Sequence, residues 1–215
     1  MDGFITFEGG DGSGKSTQVR RLAEFLNSKG QDVLVTREPG GTELGLLIRR
    51  LLLEVSEQTI VPTAELLLYL ADRAQHVQQV ILPALRQSKI VLCDRFTDST
   101  VAYQGFGRGI DVGLLQRLND LADAGCRPAL TFLLDCPVEV GLQRAALRRA
   151  QAGSDAPAED RFEREQLAFH ERIRAGFFEL ATAEPERFHI IDATLTIELM
   201  AKQIRETTAQ KLRLL

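Results

Sequence analysis

Short apolar runs rich in β-branched and aromatic residues alternate along the chain with longer segments whose apolar residues have helical spacing. The runs cover residues 4–7, 33–36, 90–93, 130–134 and 188–191. Each run is typical of a buried strand, and strands that alternate with helices form parallel sheets. The pattern therefore predicts an α/β fold whose parallel sheet is covered by helices on both faces.

Several helix ends are predicted from single residues. Gly30 is placed to end the first helix, while Asp111 and Thr196 are placed as N-caps of two later helices. A long helix is predicted over residues 63–86, which Pro83 should kink or end early.

Composition and charge narrow the class of protein. The 215 residues have a formal net charge of −4, which argues against a nucleic-acid binder that works through a basic surface. The N-terminus lacks a signal-peptide pattern and no stretch reaches the roughly 18 apolar residues of a membrane span, so we expect a cytoplasmic protein without a membrane partner. Cys93, Cys126 and Cys136 are predicted to be core thiols of a reducing compartment. Because no repeat or linker divides the chain, we expect one domain over residues 1–215.

A glycine-rich segment carries the clearest chemical signal. Residues 9–16 read G-G-D-G-S-G-K-S and fit the phosphate-binding pattern G-x-x-x-x-G-K-[S/T] between a predicted strand and a predicted helix. The glycines let successive N–H groups turn toward one phosphate, and the helix N-terminus adds partial positive charge. Lys15 is predicted to reach the β- and γ-phosphates of a nucleoside triphosphate, and Ser16 to ligate Mg²⁺. The predicted ATP-binding residues are Gly10, Asp11, Gly12, Ser13, Gly14, Lys15, Ser16 and Thr17.

A phosphate-binding loop does not by itself distinguish a GTPase, a motor and a small-molecule kinase. The chain has no N-K-x-D sequence for guanine, no D-x-x-G outside the loop and no L-S-G-G-Q sequence, which disfavours Ras-like switches and ABC-type ATPases. At the end of the third predicted strand, Asp94 is placed to hold Mg²⁺ through water and Arg95 to hold a phosphate. The alternative is a mutual surface ion pair of the two residues.

Arginines flank the small and polar stretch 150–159, which predicts a mobile surface loop between two helices. Those before the loop are Arg144, Arg148 and Arg149, and those after it are Arg161 and Arg164. Such an arrangement is typical of a lid that closes over phosphates and brings positive charge to the transferring group. The alternative is a solvated helix face, whose arginines are balanced by Asp160, Glu163 and Glu165.

Several separated motifs, in this order, resemble those of the bacterial thymidylate kinase family over essentially the whole chain. They read F-E-G-G-D-G-S-G-K-S-T at 7–17, T-R-E-P-G-G-T at 36–42, Y-L-A-D-R at 69–73, D-R-F at 94–96, A-Y-Q-G at 102–105 and L-D-C-P at 134–137. The resemblance implies a P-loop NTPase fold with a five-stranded parallel sheet and a short mobile lid at residues 144–160. It also implies Mg²⁺-assisted, in-line transfer of the γ-phosphoryl group of ATP to thymidine 5′-monophosphate (dTMP), giving the diphosphate in dTTP biosynthesis.

The same resemblance assigns residues to the acceptor nucleotide. It implies that Asp11 approaches the sugar 3′-hydroxyl and that Arg95 approaches the phosphate. Tyr69 falls where the family stacks an aromatic ring on thymine, and Arg73 where it donates to a base carbonyl. The implied substrate-binding residues are Asp11, Arg37, Pro39, Tyr69, Arg73, Arg95, Ser99, Tyr103 and Gln104.

The resemblance further implies that Tyr103 is a steric gate against a ribose 2′-hydroxyl and that Gln104 faces N3 of the base. A plainer interpretation of Ser99, Tyr103 and Gln104 is a polar loop with one anchoring aromatic ring. For Tyr69 and Arg73 the plainer interpretation is an i, i+4 pair on one helix.

Catalysis is assigned to Lys15, Arg95, Arg148 and Arg149. In family members whose phosphate-binding loop lacks an arginine the lid supplies the catalytic guanidinium, and residues 10–13 carry none here. Arg148 is the first choice, because neighbouring helical residues point about 100° apart and the two arginines are not expected to serve equally.

Some residues have no role in this scheme. Phe96 stands where the family more usually has tyrosine, so any role of that hydroxyl is absent. His76, His170 and His189 have no demanded role and are predicted to lie on helix surfaces or at a strand edge.

Two other functions are compatible with the same sequence. One is a nucleoside-monophosphate kinase for a different base, which would share every phosphate-handling residue. The other is a non-catalytic nucleotide-binding protein that signals through lid closure. The expected partners are ATP and dTMP, with no nucleic acid, and a second copy of the chain. The homodimer would be formed by apolar helix faces containing Leu44, Leu47, Ile48, Leu51 and residues 66–70, for which core burial is the alternative.

Overall fold

A computed structural model describes residues 3–54, 59–152 and 161–213 of the chain, which fold around one five-stranded sheet. Its parallel strands, in the order β2-β3-β1-β4-β5, are β1 (Phe4–Glu8), β2 (Val33–Arg37), β3 (Ile90–Asp94), β4 (Leu130–Asp135) and β5 (Phe188–Asp192). All five predicted strands are confirmed, and each extends one residue further than its apolar run. The additional residues are Glu8, Arg37, Asp94, Asp135 and Asp192. Charged side chains therefore collect at the carboxyl edge of the sheet, where ligands bind in open α/β folds.

Helices connect the strands and flank the sheet. They are α1 (Lys15–Ser28), α2 (Glu43–Leu53), α3 (Pro62–His76), α4 (Leu82–Arg86), α5 (Thr97–Thr100), α6 (Val112–Asp123), α7 (Val138–Ala152), α8 (Leu167–Ala183) and α9 (Ile197–Lys211). The predicted helix ends are confirmed. Gly30 follows α1 with a left-handed φ of 76°, and the side chains of Asp111 and Thr196 accept the N–H groups of Leu114 and Leu199.

The long helix predicted over residues 63–86 is divided rather than ended. A π-helical segment, Val77–Ile81, joins α3 to α4, and Pro83 lies in the first turn of α4. Proline lacks an N–H group and its ring collides with the carbonyl four residues earlier. The wider turns just before Pro83 accommodate this defect, so the helical path continues to Arg86.

The loop predicted over residues 150–159 is wrong for its first three residues. Helix α7 continues to Ala152, because alanine and glutamine are good helix formers. Residues 153–160, which contain most of the predicted loop and Asp160, lie outside the described residues.

Alternating side chains of the strands build a core on each face of the sheet. Ile5 and Phe7 pack with apolar residues of α1 and α9, whereas Phe4 packs with Val77 and Ile81 on the opposite face. The three cysteines are buried and free, as predicted. In the described part of the chain, no helix is both long enough and apolar enough to span a membrane.

The predicted positions of two histidines are wrong. His76 is fully buried in α3, where its ring contacts Glu38 Oε1 at 2.9 Å and Thr36 Oγ1 at 2.6 Å. His170 is buried in α8. Helical spacing does not distinguish a polar residue on the surface from one that meets a partner far along the chain. His189 is exposed on the edge strand β5, as predicted.

Candidate active site

The loop between β1 and α1 forms a tight cradle around the side chain of Lys15. Its Nζ donates to the carbonyl oxygens of Gly9 and Gly10, at 3.0 and 2.8 Å. Gly12 has a φ of +71°, and a Cβ atom there would lie 2.0 Å from the carbonyl oxygen of Gly141, so only glycine fits. Burial, and then the charge of Arg95, lower the pKa of Lys15 to about 8. The loop thus brings a buried cation and backbone N–H groups to the helix N-terminus.

Ser16 and Asp94 meet at the lip of this cradle. Ser16 Oγ donates to Asp94 Oδ2 at 2.6 Å. The alternative prediction, an ion pair between Asp94 and Arg95, is wrong, because Arg95 pairs with Asp11 instead. Two hard oxygen donors fit Mg²⁺, which binds few protein ligands and keeps waters and substrate phosphates. Among the residues described, no group of three or more His, Cys, Asp or Glu side chains forms a candidate metal cluster.

Arg95 is held in an unusual backbone conformation at the end of β3. Its φ is +69°, in the left-handed region that side chains rarely adopt. The buried carboxyl group of Glu8 stabilises this turn by accepting the N–H of Phe96 at 2.7 Å and the hydroxyl of Ser99 at 2.5 Å. Burial, and then the charge of Asp98, raise the pKa of Glu8 to about 8. The turn directs the guanidinium of Arg95 toward the phosphate-binding loop.

Arg95, Asp11 and Tyr103 form one bonded group. Arg95 Nη2 donates to Asp11 Oδ1 at 2.7 Å and to Tyr103 Oη at 3.1 Å, and the guanidinium lies 5.0 Å from the centre of the Tyr103 ring. Tyr103 Oη donates to Asp11 Oδ2 at 3.3 Å. Burial by itself would raise the pKa of Asp11, but Arg95 and Lys15 lower it below its ordinary value. Asp11 is therefore an acceptor at the boundary between the loop and the space beside it.

That space is a cavity of about 760 Å³, measured with its open mouth. It is lined by Asp11, Glu38, Pro39, Arg49, Leu53, Tyr69, Arg73, Arg95, Phe96, Ser99, Thr100, Tyr103, Gln104, Arg148, Phe162 and Glu163. Every predicted substrate-binding residue except Arg37 is among them. Arg37 is exposed and lines a neighbouring groove with Ser16 and Asp94.

Four lining residues had no signal in the sequence, namely Arg49, Leu53, Thr100 and Phe162. Arg49 Nη1 donates to the carbonyl oxygen of Pro39 at 3.2 Å, and the ring of Phe162 packs edge-on against that of Tyr103 at 5.5 Å. Arg49 is one arginine among many, and Phe162 belongs to no motif. Only the packing of distant segments brings them to the cavity.

Arg73 is part of the cavity floor, and most of its guanidinium is already occupied. Its Nε donates to Glu38 Oε2 at 2.9 Å, and its Nη1 donates to Thr100 Oγ1 and Asn119 Oδ1 at 2.9 and 2.7 Å. Its Nη2 donates to the carbonyl oxygen of Phe96 at 3.0 Å. A guanidinium has five N–H groups, so one at most is left for a base carbonyl.

The arginines near the predicted lid fall into two groups. Arg148 and Arg149 both reach Glu163, at 3.6 and 2.8 Å, and their side chains are 69% and 43% exposed. Of the two, Arg148 contributes to the cavity wall. Arg144 instead donates to the carbonyl oxygen of Ala193 at 2.8 Å. Arg161 donates to the carbonyl oxygen of Leu52 in α2 and to the carboxylate of Glu65 in α3.

The fold and the site together define a class of protein. A phosphate-binding loop lies at the carboxyl edge of a parallel sheet, and an aromatic and arginine-lined cavity opens beside it. This arrangement defines a P-loop nucleotide-binding protein that accepts a second, phosphate-bearing ligand.

Comparison with known proteins gives the family. The sequence model of the thymidylate kinase family matches residues 7–204. The chain is 52% identical over 213 residues to a thymidylate kinase of Citrifermentans bemidjiense, covering 99% of this chain and 94% of that protein. It is 54% identical over 206 residues to a thymidylate kinase of Geobacter sulfurreducens, covering 96% of each. The crystal structure of thymidylate kinase from Ehrlichia chaffeensis superposes with a TM-score of 0.75 at 37% identity, covering 95% and 97% of the two chains. The chain belongs to the thymidylate kinase family.

Proposed function

We propose that this chain transfers the γ-phosphoryl group of ATP to dTMP by direct in-line displacement, as a step of dTTP synthesis. The observation that carries this proposal is the shared wall of the two binding regions. Asp11 belongs to the phosphate-binding loop and lines the acceptor cavity, and Arg95 Nη1 contacts the loop at the Gly9 carbonyl oxygen, 2.9 Å away. A donor phosphate in the cradle and an acceptor phosphate at Arg95 are thereby brought together.

Positioning and charge neutralisation account for the chemistry. The acceptor is a phosphate monoester whose second pKa is about 6, so it is already a nucleophile at neutral pH and no general base is needed. Lys15 and the loop N–H groups hold the donor phosphates, Arg95 holds the acceptor phosphate, and Arg148 neutralises the transferring group. Arg149 also pairs with Glu163, and this pair orients the C-terminal end of α7, which carries Arg148. Ser16 would hold Mg²⁺ directly and Asp94 through water, and the ion would supply further charge neutralisation.

The remaining assignments follow the cavity wall. Asp11 accepts from the sugar 3′-hydroxyl, Tyr69 stacks on the base, and Tyr103 excludes a 2′-hydroxyl. Arg73 donates its remaining N–H group to a base carbonyl, and Gln104 faces N3. The acceptor set is completed by Pro39 and Ser99 in the wall and by Arg37 in the adjoining groove.

We also propose that residues 1–215 form one kinase domain, whose lid lies at about residues 144–160. The protein is proposed to work in the cytoplasm, where nucleotide synthesis takes place. Its cysteines support this location, because all three are free thiols, as expected in a reducing compartment.

The proposed partner is a second copy of the chain. Leu44, Leu47, Leu51 and Leu67 lie exposed on the packed helices α2 and α3, whereas Ile48, Leu66 and Leu70 are buried. A contiguous exposed apolar face is typical of an interface, and two-fold dimers pair identical faces. Sedimentation should give twice 23.9 kDa for the wild type and 23.9 kDa for Leu47→Glu. A monomeric wild type would contradict the dimer.

The reaction is tested by ADP release from ATP with dTMP, dUMP, dCMP, AMP and GMP offered separately in the presence of Mg²⁺. We expect the highest kcat/KM for dTMP. Lys15→Met, prepared identically, controls for contaminating kinases and should be inactive with each acceptor. A preference for another monophosphate would leave the roles of the phosphate-binding residues unchanged but would contradict dTMP as the acceptor. ADP release without stimulation by any monophosphate would overturn the kinase function.

A further inference from the structure

Glu65 lies in the first turn of α3 as a fully buried carboxylate behind the acceptor cavity. Its Oε1 accepts from Gln104 Nε2 at 2.8 Å and from Arg108 Nε at 3.3 Å. Its Oε2 accepts from Arg161 Nη2 at 2.6 Å and from Arg108 Nη2 at 3.3 Å. Each carboxylate oxygen therefore has two N–H donors.

The charges of this cluster determine which way the amide of Gln104 faces. Arginine does not lose its proton in proteins, so Glu65, paired with two guanidinium groups, is present as an anion that only accepts hydrogen bonds. A glutamine amide has a donating and an accepting end, which can exchange by rotation. Only the NH₂ end can face Glu65, because the carbonyl end would place two acceptors in contact. The carbonyl oxygen Oε1 of Gln104 is left to face the cavity.

The cavity consequently presents an acceptor where Gln104 contributes to its wall. Gln104 is only 1% exposed, so its amide has few other orientations available. In thymine and uracil, N3 carries a hydrogen and donates, whereas in cytosine N3 is an acceptor. A buried site that cannot match a donor or acceptor of the ligand discriminates strongly, by about 10⁴ in favourable cases.

We infer that Glu65 is a specificity-determining positioning residue, which holds the Gln104 amide so that its carbonyl oxygen meets a base with an N3–H group. The inference rests on the proposed function, in which Gln104 faces N3. It adds that discrimination against cytosine depends on a carboxylate that does not touch the nucleotide. It also gives Arg108 a part, because its guanidinium donates to both carboxylate oxygens of Glu65.

The test is the ratio of kcat/KM for dTMP to that for dCMP in two variants of Glu65. Glu65→Gln replaces the anion with an amide that can donate as well as accept, so the Gln104 amide is free to turn. Glu65→Asp keeps the charge and the arginine partners but withdraws the carboxylate from Gln104. We expect the ratio to fall by about tenfold or more in both, with much of the change in a higher kcat/KM for dCMP.

Arg161→Gln is the matched control, because it removes a partner of Oε2 and leaves the Oε1 contact with Gln104 in place. Its ratio should stay at the wild-type value even if kcat falls. If both Glu65 variants lose kcat for dTMP and dCMP equally, so that the ratio is unchanged, the residue is only structural and the inference is overturned. If the wild type itself shows no preference for dTMP over dCMP, the proposed function fails instead.

A measurement on the wild type covers the case in which neither Glu65 variant folds. The side-chain NH₂ signal of Gln104, assigned by its loss in Gln104→Met, should exchange slowly with solvent and should keep one orientation when dTMP is added. Rapid exchange of these hydrogens with solvent would overturn the inference. Two sets of NH₂ signals, one for each orientation of the amide, would overturn it as well.

Discussion

Asp11 and Arg95 form a 2.7 Å ion pair across the boundary between the phosphate-binding loop and the acceptor cavity. Asp11 positions Arg95 and also lines the cavity, where we propose that it meets the sugar 3′-hydroxyl. Tyr103 bonds to both residues and links them to the aromatic wall of the cavity.

The two contributions of Asp11 can be separated with Asp11→Asn. We expect kcat/KM for dTMP to fall about 10- to 100-fold, the scale of a lost charged hydrogen bond. For the 2′,3′-dideoxy analogue of dTMP, which has no 3′-hydroxyl, the fall should be several-fold smaller. Equal losses with the two acceptors would show that Asp11 acts only by holding Arg95.

Arg148→Ala should lower kcat by about 10³ or more, the scale of a lost catalytic guanidinium, with a smaller change in ATP affinity. Arg149→Ala is the matched control, because its side chain pairs with the same Glu163 but is absent from the cavity wall. We expect it to retain most of the wild-type kcat in steady-state assays. A near-normal kcat for Arg148→Ala would remove that residue from the mechanism.

Arg73→Ala should destabilise the fold. It removes the donor to the buried Glu38 carboxylate and breaks bonds to Thr100, Asn119 and the Phe96 carbonyl. Removal of one partner of a buried ion pair costs about 3–5 kcal/mol, and urea unfolding should show a loss on that scale.

The same contacts affect how Arg73 variants are interpreted. A change in base selectivity of Arg73→Ala has to be separated from unfolding, by measuring kcat/KM well below its unfolding temperature. Wild-type stability of Arg73→Ala would contradict the structural role of the guanidinium.

Asp72 should make the stability of the protein depend on pH. Its Oδ1 accepts the Gly40 N–H at 3.1 Å, and its Oδ2 is buried without a partner among the described residues. Burial, and then the charge of Glu38, raise the pKa of Asp72 from 3.8 to about 6. The carboxyl group of Asp72 therefore binds its proton more tightly in the folded state than in the unfolded chain. Its ionisation destabilises the fold as the pH rises from 3.8 through about 6.

Asp72→Asn removes this effect and keeps an oxygen for the Gly40 N–H. The free energy of unfolding of the variant, relative to the wild type, should increase by about 1 kcal/mol between pH 5 and pH 7.5. Urea unfolding of both proteins at the two pH values measures this difference directly. A difference that does not change with pH would show that Asp72 titrates normally.

The sequence by itself determined the strands, the phosphate-binding loop and the family. The strands and the loop are local features: an apolar run of four or five residues predicts a strand, and glycines followed by a lysine predict a phosphate cradle. The family follows from separate short motifs in a fixed order along the chain. The error at each strand end has a tertiary origin, since pairing with a neighbouring strand continues onto one charged residue that hydrophobicity does not mark.

Only the tertiary structure decided what the individual charged side chains do. Arg73 is proposed to meet the base with one N–H group, and only the structure shows that its other N–H groups bond to Glu38, Thr100, Asn119 and the Phe96 carbonyl oxygen. His76 was expected on a surface, yet it is buried against the same carboxylate. Glu65 belonged to no motif, and it meets Gln104 and Arg161 from 39 and 96 residues away. A charge can be buried only where partners satisfy it, and those partners are brought together by packing rather than by spacing along the chain.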